Sequence, residues 1–256
     1  MKAILLSAGR GSRLLPLTES RPKCLLPVGT TTLLGFQLDT LEACGITEVI
    51  VVTGFMTGLV EQEIARHNGS IGVTSFYNPF FEVSDNLASC WMVREHMKED
   101  FLLINGDTLF EKELLEDVLF SPSQSIQVTI DRKPNYDSDD MKVSLDGQRL
   151  LAIGKSINTA DADAESIGLL RFMGQGPAIF RAKLEQVMRT QAGVSSWFLK
   201  VIDAIADTTG QVGSFSIEGR HWNEVDTIKD YHSIDPCFSR VLQYRNTRNS
   251  DHVALA

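Results

Sequence analysis

The sequence predicts an α/β fold: a mostly parallel central sheet with helices on both faces. Three observations point there. Short aliphatic runs alternate with segments whose apolar residues recur at helical spacing. The runs are apolar at consecutive positions, as strands covered on both faces are. The first run ends abruptly in Ser7-Ala8-Gly9-Arg10-Gly11, a turn of small residues that lets backbone approach a ligand at the carboxyl edge of such a sheet.

The elements follow in order. Residues 3–6 read as a buried strand, too short and too sharply ended for a helix. Residues 32–44 carry Leu33, Leu34, Phe36, Leu38 and Leu41 at helical spacing, with Gly45 where a helix ends. Residues 48–53 are a second strand, 59–67 a helix, and 73–77 a strand stopped by Asn78-Pro79. Ser84 or Asp85 caps a helix over 87–97, whose N-terminus would face the same edge. Residues 101–105 and 125–131 are strands, and 133–140 is a polar loop. A hairpin over 142–153 turns at Asp146-Gly147. An acidic loop at 158–164 leads into a strand over 169–172; helices at 178–190 and 196–207 and a strand at 211–217 follow. A last helix over 228–234 is interrupted by Pro236. One domain over 1–240 and a mobile tail over 241–256 are expected, since the polar final residues show no periodicity.

The first turn carries the chemistry. Convergent backbone N–H groups, together with Arg13 and Lys23, suit a triphosphate. No Gly-Lys-Ser/Thr closes the turn as in a P-loop, and the third glycine of the dinucleotide fingerprint is absent. The run resembles instead the signature loop of the nucleotidyltransferases that make nucleoside-diphosphate sugars and CDP-alcohols: small-Ala-Gly-x-Gly-x-Arg-Leu, then Pro-Leu-Thr, then Pro-Lys. Here those pieces are residues 7–14, Pro16-Leu17-Thr18 and Pro22-Lys23. The resemblance extends over residues 1–240. It implies a Rossmann-like nucleotidyltransferase fold with a small acceptor-side β-subsheet, Arg13 and Lys23 as catalytic groups, and Leu6, Ala8, Gly9, Gly11, Ser12 and Gly106 around the nucleotide.

Asp85-Asn86-Leu87-Ala88-Ser89 stands where sugar-specific members carry a Gly-Thr-Ala-type segment, and resembles the phosphocholine cytidylyltransferase-like branch. Asn86 and Ser89 are then the base- or ribose-facing pair. Asp107, at the end of a buried strand, needs a partner. A hard cation, Mg²⁺, suits it, and the resemblance gives Asp226 of Asp226-Thr227 as the second metal ligand. On the acceptor side Lys142 and Lys155 are candidates for the acceptor's phosphate, and Glu165, Trp222 and Glu224 for its amine end; Gly168 fits the family position where backbone closes on the site. Tyr136, Trp197 and Asp140 are further aromatic and acidic candidates, with Trp197 favoured as core by its apolar helical setting.

The implied activity is transfer of CMP from CTP to a phosphorylated or phosphonylated amino alcohol, such as phosphocholine or 2-aminoethylphosphonate, with release of pyrophosphate. Rival readings are a sugar-1-phosphate or inositol-phosphate nucleotidyltransferase and, in another class, a non-catalytic nucleotide-binding module. A net charge of −9 argues against nucleic acid as a partner. No apolar run is long enough to span a membrane. Four cysteines without paired spacing, and a first segment that enters a strand rather than a signal peptide, suggest a reducing cytoplasm. A homodimer is left open.

Overall fold

The computed structural model describes residues 1–122 and 124–240. The tail expected over 241–256 lies outside the described residues. The chain runs β1 (Lys2–Ser7), β2 (Pro27–Val28), β3 (Thr31–Thr32), α1 (Leu33–Ala43), β4 (Glu48–Thr53), α2 (Thr57–Arg66), β5 (Gly72–Tyr77), α3 (Asn86–Met92) and β6 (Phe101–Asn105). It continues through β7 (Thr108–Phe110), α4 (Lys112–Phe120), β8 (Ile126–Asp131), β9 (Lys142–Asp146), β10 (Arg149–Ile153) and β11 (Ala164–Phe172). Last come α5 (Gly176–Met188), α6 (Leu199–Thr209), β12 (Val212–Ser216), β13 (Trp222–Glu224), α7 (Ile228–His232) and α8 (Pro236–Arg240).

A nine-stranded sheet has the order β5-β4-β1-β6-β11-β8-β12-β10-β9, and β9 also pairs with β11. β5, β4, β1 and β6 are parallel neighbours. β11 is antiparallel to β6 and β8, β12 is parallel to β8, and β10 and β9 form an antiparallel hairpin. Strand alternation splits the core into two layers. Ile4, Ile50, Val52, Phe101 and Leu103 pack with Leu87 and Cys90 of α3, Phe180 of α5 and Ile202 of α6. Their neighbours Ala3, Leu5, Val49, Val51, Leu102 and Ile104 face Leu38 of α1, Val60 of α2 and Leu114 of α4. Helices therefore cover both faces, which is why these strands are apolar at every position.

Several expected elements differ in extent. Residues 108–120, for which the sequence predicts no element, hold β7 and α4. The 87–97 helix closes at Met92 and becomes a 3₁₀ turn over Arg94–His96. β11 begins at Ala164, earlier than expected, because β9 offers Val143 and Lys142 as partners. Pro236 starts a helix rather than interrupting one, its fixed φ suiting a first helical turn. The hairpin turns at Gly147-Gln148, since Asp146 still pairs with Arg149.

Two devices position the site. β13 pairs with β7, matching Glu224 to Thr108 and Trp222 to Phe110, and Val225 N donates to Asp107 O at 3.1 Å. A third cluster, including Leu14, Leu26, Phe36, Leu109, Val225 and Phe238, ties the opening loop to this ribbon.

Candidate functional site

β1 and β6 end side by side, with Leu6 matched to Asn105. The chain leaves β1 through Gly9 and Gly11, the latter at φ 72°, a region costly for a side chain. A Cβ on Gly11 would also sit 2.9 Å from Lys23 Cβ. Thr18 Oγ1 donates to Gly11 O at 2.7 Å and fixes the turn. Leu14, fully buried, anchors the 3₁₀ turn that presents Ser12 and Arg13. Gly106 nests against β1: a Cβ there would meet Ser7 Oγ at 2.3 Å and Leu6 O at 2.7 Å. The turn carrying Gly106 and Asp107 is held from below by buried Gln37 of α1, whose Nε2 donates to Asn105 O at 2.8 Å and Thr108 O at 2.9 Å. Gln37 went unremarked in the sequence, although a glutamine between Leu34 and Leu38 on an apolar helix face was a visible signal.

These elements surround a cleft of about 320 Å³ lined by Leu6, Gly9, Gly11, Ser12, Arg13, Lys23, Gly106, Asp107 and Asp226, among others. Asp107 and Asp226 are far apart in sequence, and the β7–β13 ribbon brings them to one ammonium. Lys23 Nζ lies 2.6 Å from Asp107 Oδ2 and 2.6 Å from Asp226 Oδ1. Arg13 reaches Asp226 Oδ2 at 2.7 Å and also pairs with Asp139. Burial opposes the charge of Lys23, but Asp107 and Asp226 outweigh it and hold its pKa above the usual lysine value.

Glu224 adds a third carboxyl. It keeps one exposed side yet is crowded by the surrounding protein. That burial, then Asp107 and Asp226, push it up to about 8. Asp107 Oδ1 is buried without a hydrogen-bond partner. An orphaned carboxylate oxygen, two neighbouring acids and an all-oxygen donor set fit a hard dication such as Mg²⁺; the residues able to hold it are Asp107 and Asp226.

A smaller cavity of about 140 Å³ adjoins the cleft through Leu6, Gly9 and Asp85, and is lined also by Ala8, Asn78, Phe81, Asn86 and Ser89. Ser89 is buried and its Oγ accepts from Asn78 Nδ2 at 3.1 Å. Asn86 Oδ1 accepts from Phe198 N at 2.9 Å, so its carbonyl joins α3 to the α6 entry and its amide end remains for the cavity.

Across from the glycine turn, Lys155 pairs with Asp139 and lies over the Trp197 ring, 5.2 Å from its centroid. Trp197 itself bonds to the Asp85 carboxyl. The expectation that Trp197 is core fails: it is 41 % exposed, at the rim of the cleft. Trp222 shares a strand face with Glu224, but its indole donates to Asp131 Oδ2 at 2.8 Å and it packs partly against the core. Glu165 is buried; its Oε2 accepts from Lys133 Nζ at 2.8 Å, and Asp140 holds the same ammonium at 2.7 Å. Burial pushes the Glu165 carboxyl up to about 7, with Lys133 opposing. Lys142 is not placed to meet an acceptor phosphate. It is 1 % exposed, and its ammonium donates to the backbone carbonyls of Asp137 and Asp140, which fastens the 133–140 loop. Gly168 adopts φ 74°, where a Cβ would strike the Asn105 side chain at 2.5 Å. Cys24, beside Lys23, is buried with its thiol pushed up to about 12 by burial, which excludes a thiolate nucleophile there. Asp139 was not foreseen; nothing in a polar loop marks one acid above another.

The family model described as nucleotidyl transferase matches residues 2–140. The CTP:phosphoglutamine cytidylyltransferase of Campylobacter jejuni is 22% identical over 254 residues, covering 90% of this chain and 97% of that protein. The CMP-5'-(3-aminopropyl)phosphonate synthase of Streptomyces rubellomurinus is 27% identical over 261 residues; the match covers 98% of this chain but 41% of that protein. Among solved structures, the CTP:phosphocholine cytidylyltransferase of Streptococcus pneumoniae superposes with a TM-score of 0.74 at 19% identity, covering 94% of this chain and 98% of that one. The similarity establishes a shared fold.

Proposed function

The chain belongs to the nucleotidyl transferase family, and on that premise we propose that it transfers CMP from CTP to a phosphorylated or phosphonylated amino alcohol, releasing pyrophosphate. The observation that carries this reading is the meeting of Lys23, Asp107 and Asp226 inside the cleft walled by Gly9 and Gly11. A glycine turn with two cations answers a triphosphate, and paired acids answer its counter-ion. The names of the relatives matched over nine-tenths or more of this chain, a CTP:phosphoglutamine cytidylyltransferase and a CMP-5'-(3-aminopropyl)phosphonate synthase, favour cytidine, while relatives matched over less than half of it include uridylyltransferases. The smaller cavity, with its size and its Asn86 and Ser89 lining, suits a single-ring base, which favours a pyrimidine over a purine.

In the mechanism, an oxygen of the acceptor's phosphate or phosphonate attacks the α-phosphorus of CTP, the bond to the β-phosphate oxygen breaks, and pyrophosphate leaves on the opposite side. No covalent enzyme intermediate is needed. The amides near Gly9 and Gly11 and the side chain of Arg13 hold the outer phosphates as they gain charge. Lys23, already between the two acids, is within reach of the same phosphates and neutralises charge at the reacting centre. Asp107 and Asp226 would hold Mg²⁺, which when bound supplies further positive charge at the phosphates. Positioning in line accounts for much of the rate.

On the acceptor side, Lys155 stands at the cleft rim with a cation to offer a phosphate, Asp140 supplies negative charge for an ammonium, and Glu165 and Glu224, whose carboxyls are pushed up to about 7 and about 8, supply further acceptor oxygens. Trp197 offers an exposed aromatic face, which a quaternary ammonium would use. A sugar or inositol phosphate, neutral beyond its phosphate, would make no use of Asp140 and Glu165 beyond their existing pairing with Lys133. The test is pyrophosphate release over four nucleoside triphosphates against phosphocholine, aminoethylphosphonate, inositol-1-phosphate and glucose-1-phosphate. Turnover with CTP and an amino-alcohol acceptor is expected; turnover only with a sugar phosphate and UTP or dTTP would overturn the reading.

A further inference from the structure

Three side chains that the phosphate chemistry does not use converge where α8 begins. His221 stands one residue before β13, and Asp235 and Cys237 flank Pro236. His221 Nδ1 lies 3.0 Å from Asp235 Oδ2. Asp235 Oδ1 accepts from Cys237 N at 2.8 Å, and Asp235 N donates to Asn223 Oδ1 at 3.0 Å. The carboxylate thus spends one oxygen on the start of α8 and turns the other to the imidazole. One donor atom from each of His221, Asp235 and Cys237 lies within 4.8 Å of the others.

We infer that His221, Asp235 and Cys237 form a second metal site, for a borderline-soft divalent ion, Zn²⁺ first, separate from the acids of the phosphate cleft. Nitrogen, sulfur and one carboxylate oxygen are the donors Zn²⁺ takes, at mutual separations a single small ion can bridge. A thiolate and a carboxylate together match a dication's charge. The Cys237 thiol proton leaves to solvent on binding, and no electron is transferred. His221 and Asp235 reach the surface, with side chains 56% and 36% exposed, so water takes the fourth position and the ion has a way in. Mg²⁺ does not compete, because it prefers oxygen and gains little from sulfur.

The position gives the site a structural consequence. Asn223 lies on the face of β13 opposite Glu224, and β13 pairs with β7 directly after Asp107. An ion there would clamp the start of α8 to the start of β13, the strand that leads into Asp226. Phe238, stacked edge-on against Phe36 at 5.5 Å, already holds α8 from the other side.

Sulfur makes the site separable from its rivals. The acids of the cleft offer only oxygen, and the other mixed cluster among the described residues, Asp39, Glu42 and His67, has no thiol. The full chain, stripped with chelator and free of nucleotide, is titrated with Co²⁺. One equivalent should give a thiolate-to-cobalt charge-transfer band in the near ultraviolet, which Zn²⁺ bleaches and excess Mg²⁺ leaves unchanged. Cys237→Ser should lose the band; His221→Ala should weaken Co²⁺ binding at least about tenfold. Zn²⁺ should raise the melting temperature of the wild type but not of Cys237→Ser, whose Mg²⁺-supported pyrophosphate release should be unchanged. A folded wild-type protein with no such band, or a band that survives in Cys237→Ser and so belongs to another cysteine, would overturn the assignment. Should Cys237→Ser fail to fold, the wild-type spectrum and His221→Ala decide the question alone.

Discussion

The proposed nucleotide side and the proposed acceptor side of the cleft are built differently. On the nucleotide side, β1, β4, β5 and β6 run parallel and the ligand-facing groups come from turns directly after strands, with backbone amides and a few adjacent side chains. On the acceptor side, β8 to β12 mix directions, and the facing groups are side chains from the 133–140 loop, β11, β13 and the approach to α6. A phosphate chain is recognised by a local peptide conformation, which a short motif can encode. The acceptor side, by contrast, is organised by ion pairs between residues far apart in sequence, such as Lys133 with Glu165 and Lys155 with Asp139.

Substitutions should separate the two sides. The largest effect is expected on the nucleotide side: Asp107→Ala or Lys23→Ala should lower kcat by about 10²–10³ in a pyrophosphate-release assay, the scale of one lost transition-state contact. Near-normal rates with saturating Mg²⁺ would break the comparison at its stronger half. Gly106→Val should destabilise the fold by about 1–3 kcal/mol, because its side chain has no room beside Ser7 and Leu6; a denaturant melt reads this. Glu165→Gln should raise the KM for the acceptor about tenfold while leaving the KM for CTP within about twofold. Equal changes in both constants would mean that Glu165 does not belong to one side.

Glu165 also makes the acceptor side sensitive to pH. Its folded carboxyl titrates near 7 against an ordinary value of 4.5. Between those values the native state keeps a proton that the unfolded chain has lost, so this group's contribution to stability falls as pH rises through that window. Lys133 and Asp140 face it directly and Glu224 acts on the same pocket. The stability of wild type relative to Glu165→Gln should therefore decline from pH 4.5 to about pH 7 and then level off. A difference that stays flat or rises would contradict the burial argument. The smallest catalytic effect is expected at Lys142→Met: a lower melting temperature from the loosened 133–140 loop, with the KM for the acceptor changed by less than about twofold.

The same contrast explains what the sequence could say. β4 and β6 have the bounds their aliphatic runs imply, and the glycine turn, Lys23, Asp107 and Asp226 lie on one cleft, as the family resemblance implies. α4 was legible in principle, since Leu114, Leu115 and Val118 share a helical face. β7 and β13 were not: each is three residues long and exists because the other pairs with it across the chain. The lysines and tryptophans of the acceptor side could not be sorted by local pattern. Lys142 is drawn inward by two carbonyls, and Trp197 outward by Asp85 and Lys155, and those partners are set by tertiary structure alone.

The central claim is that the glycine turn holds the triphosphate while two distant aspartates act on one divalent ion. A double-mutant cycle on CTP binding measures it most directly: calorimetric titration of wild type, Asp107→Ala, Asp226→Ala and the double variant, each with and without Mg²⁺. If the acids share one ion, either single substitution abolishes the Mg²⁺-dependent gain in affinity and the double variant is no worse than the singles. Losses that simply add, with each single variant keeping part of the Mg²⁺ effect, would show that the two carboxylates serve different ions or none.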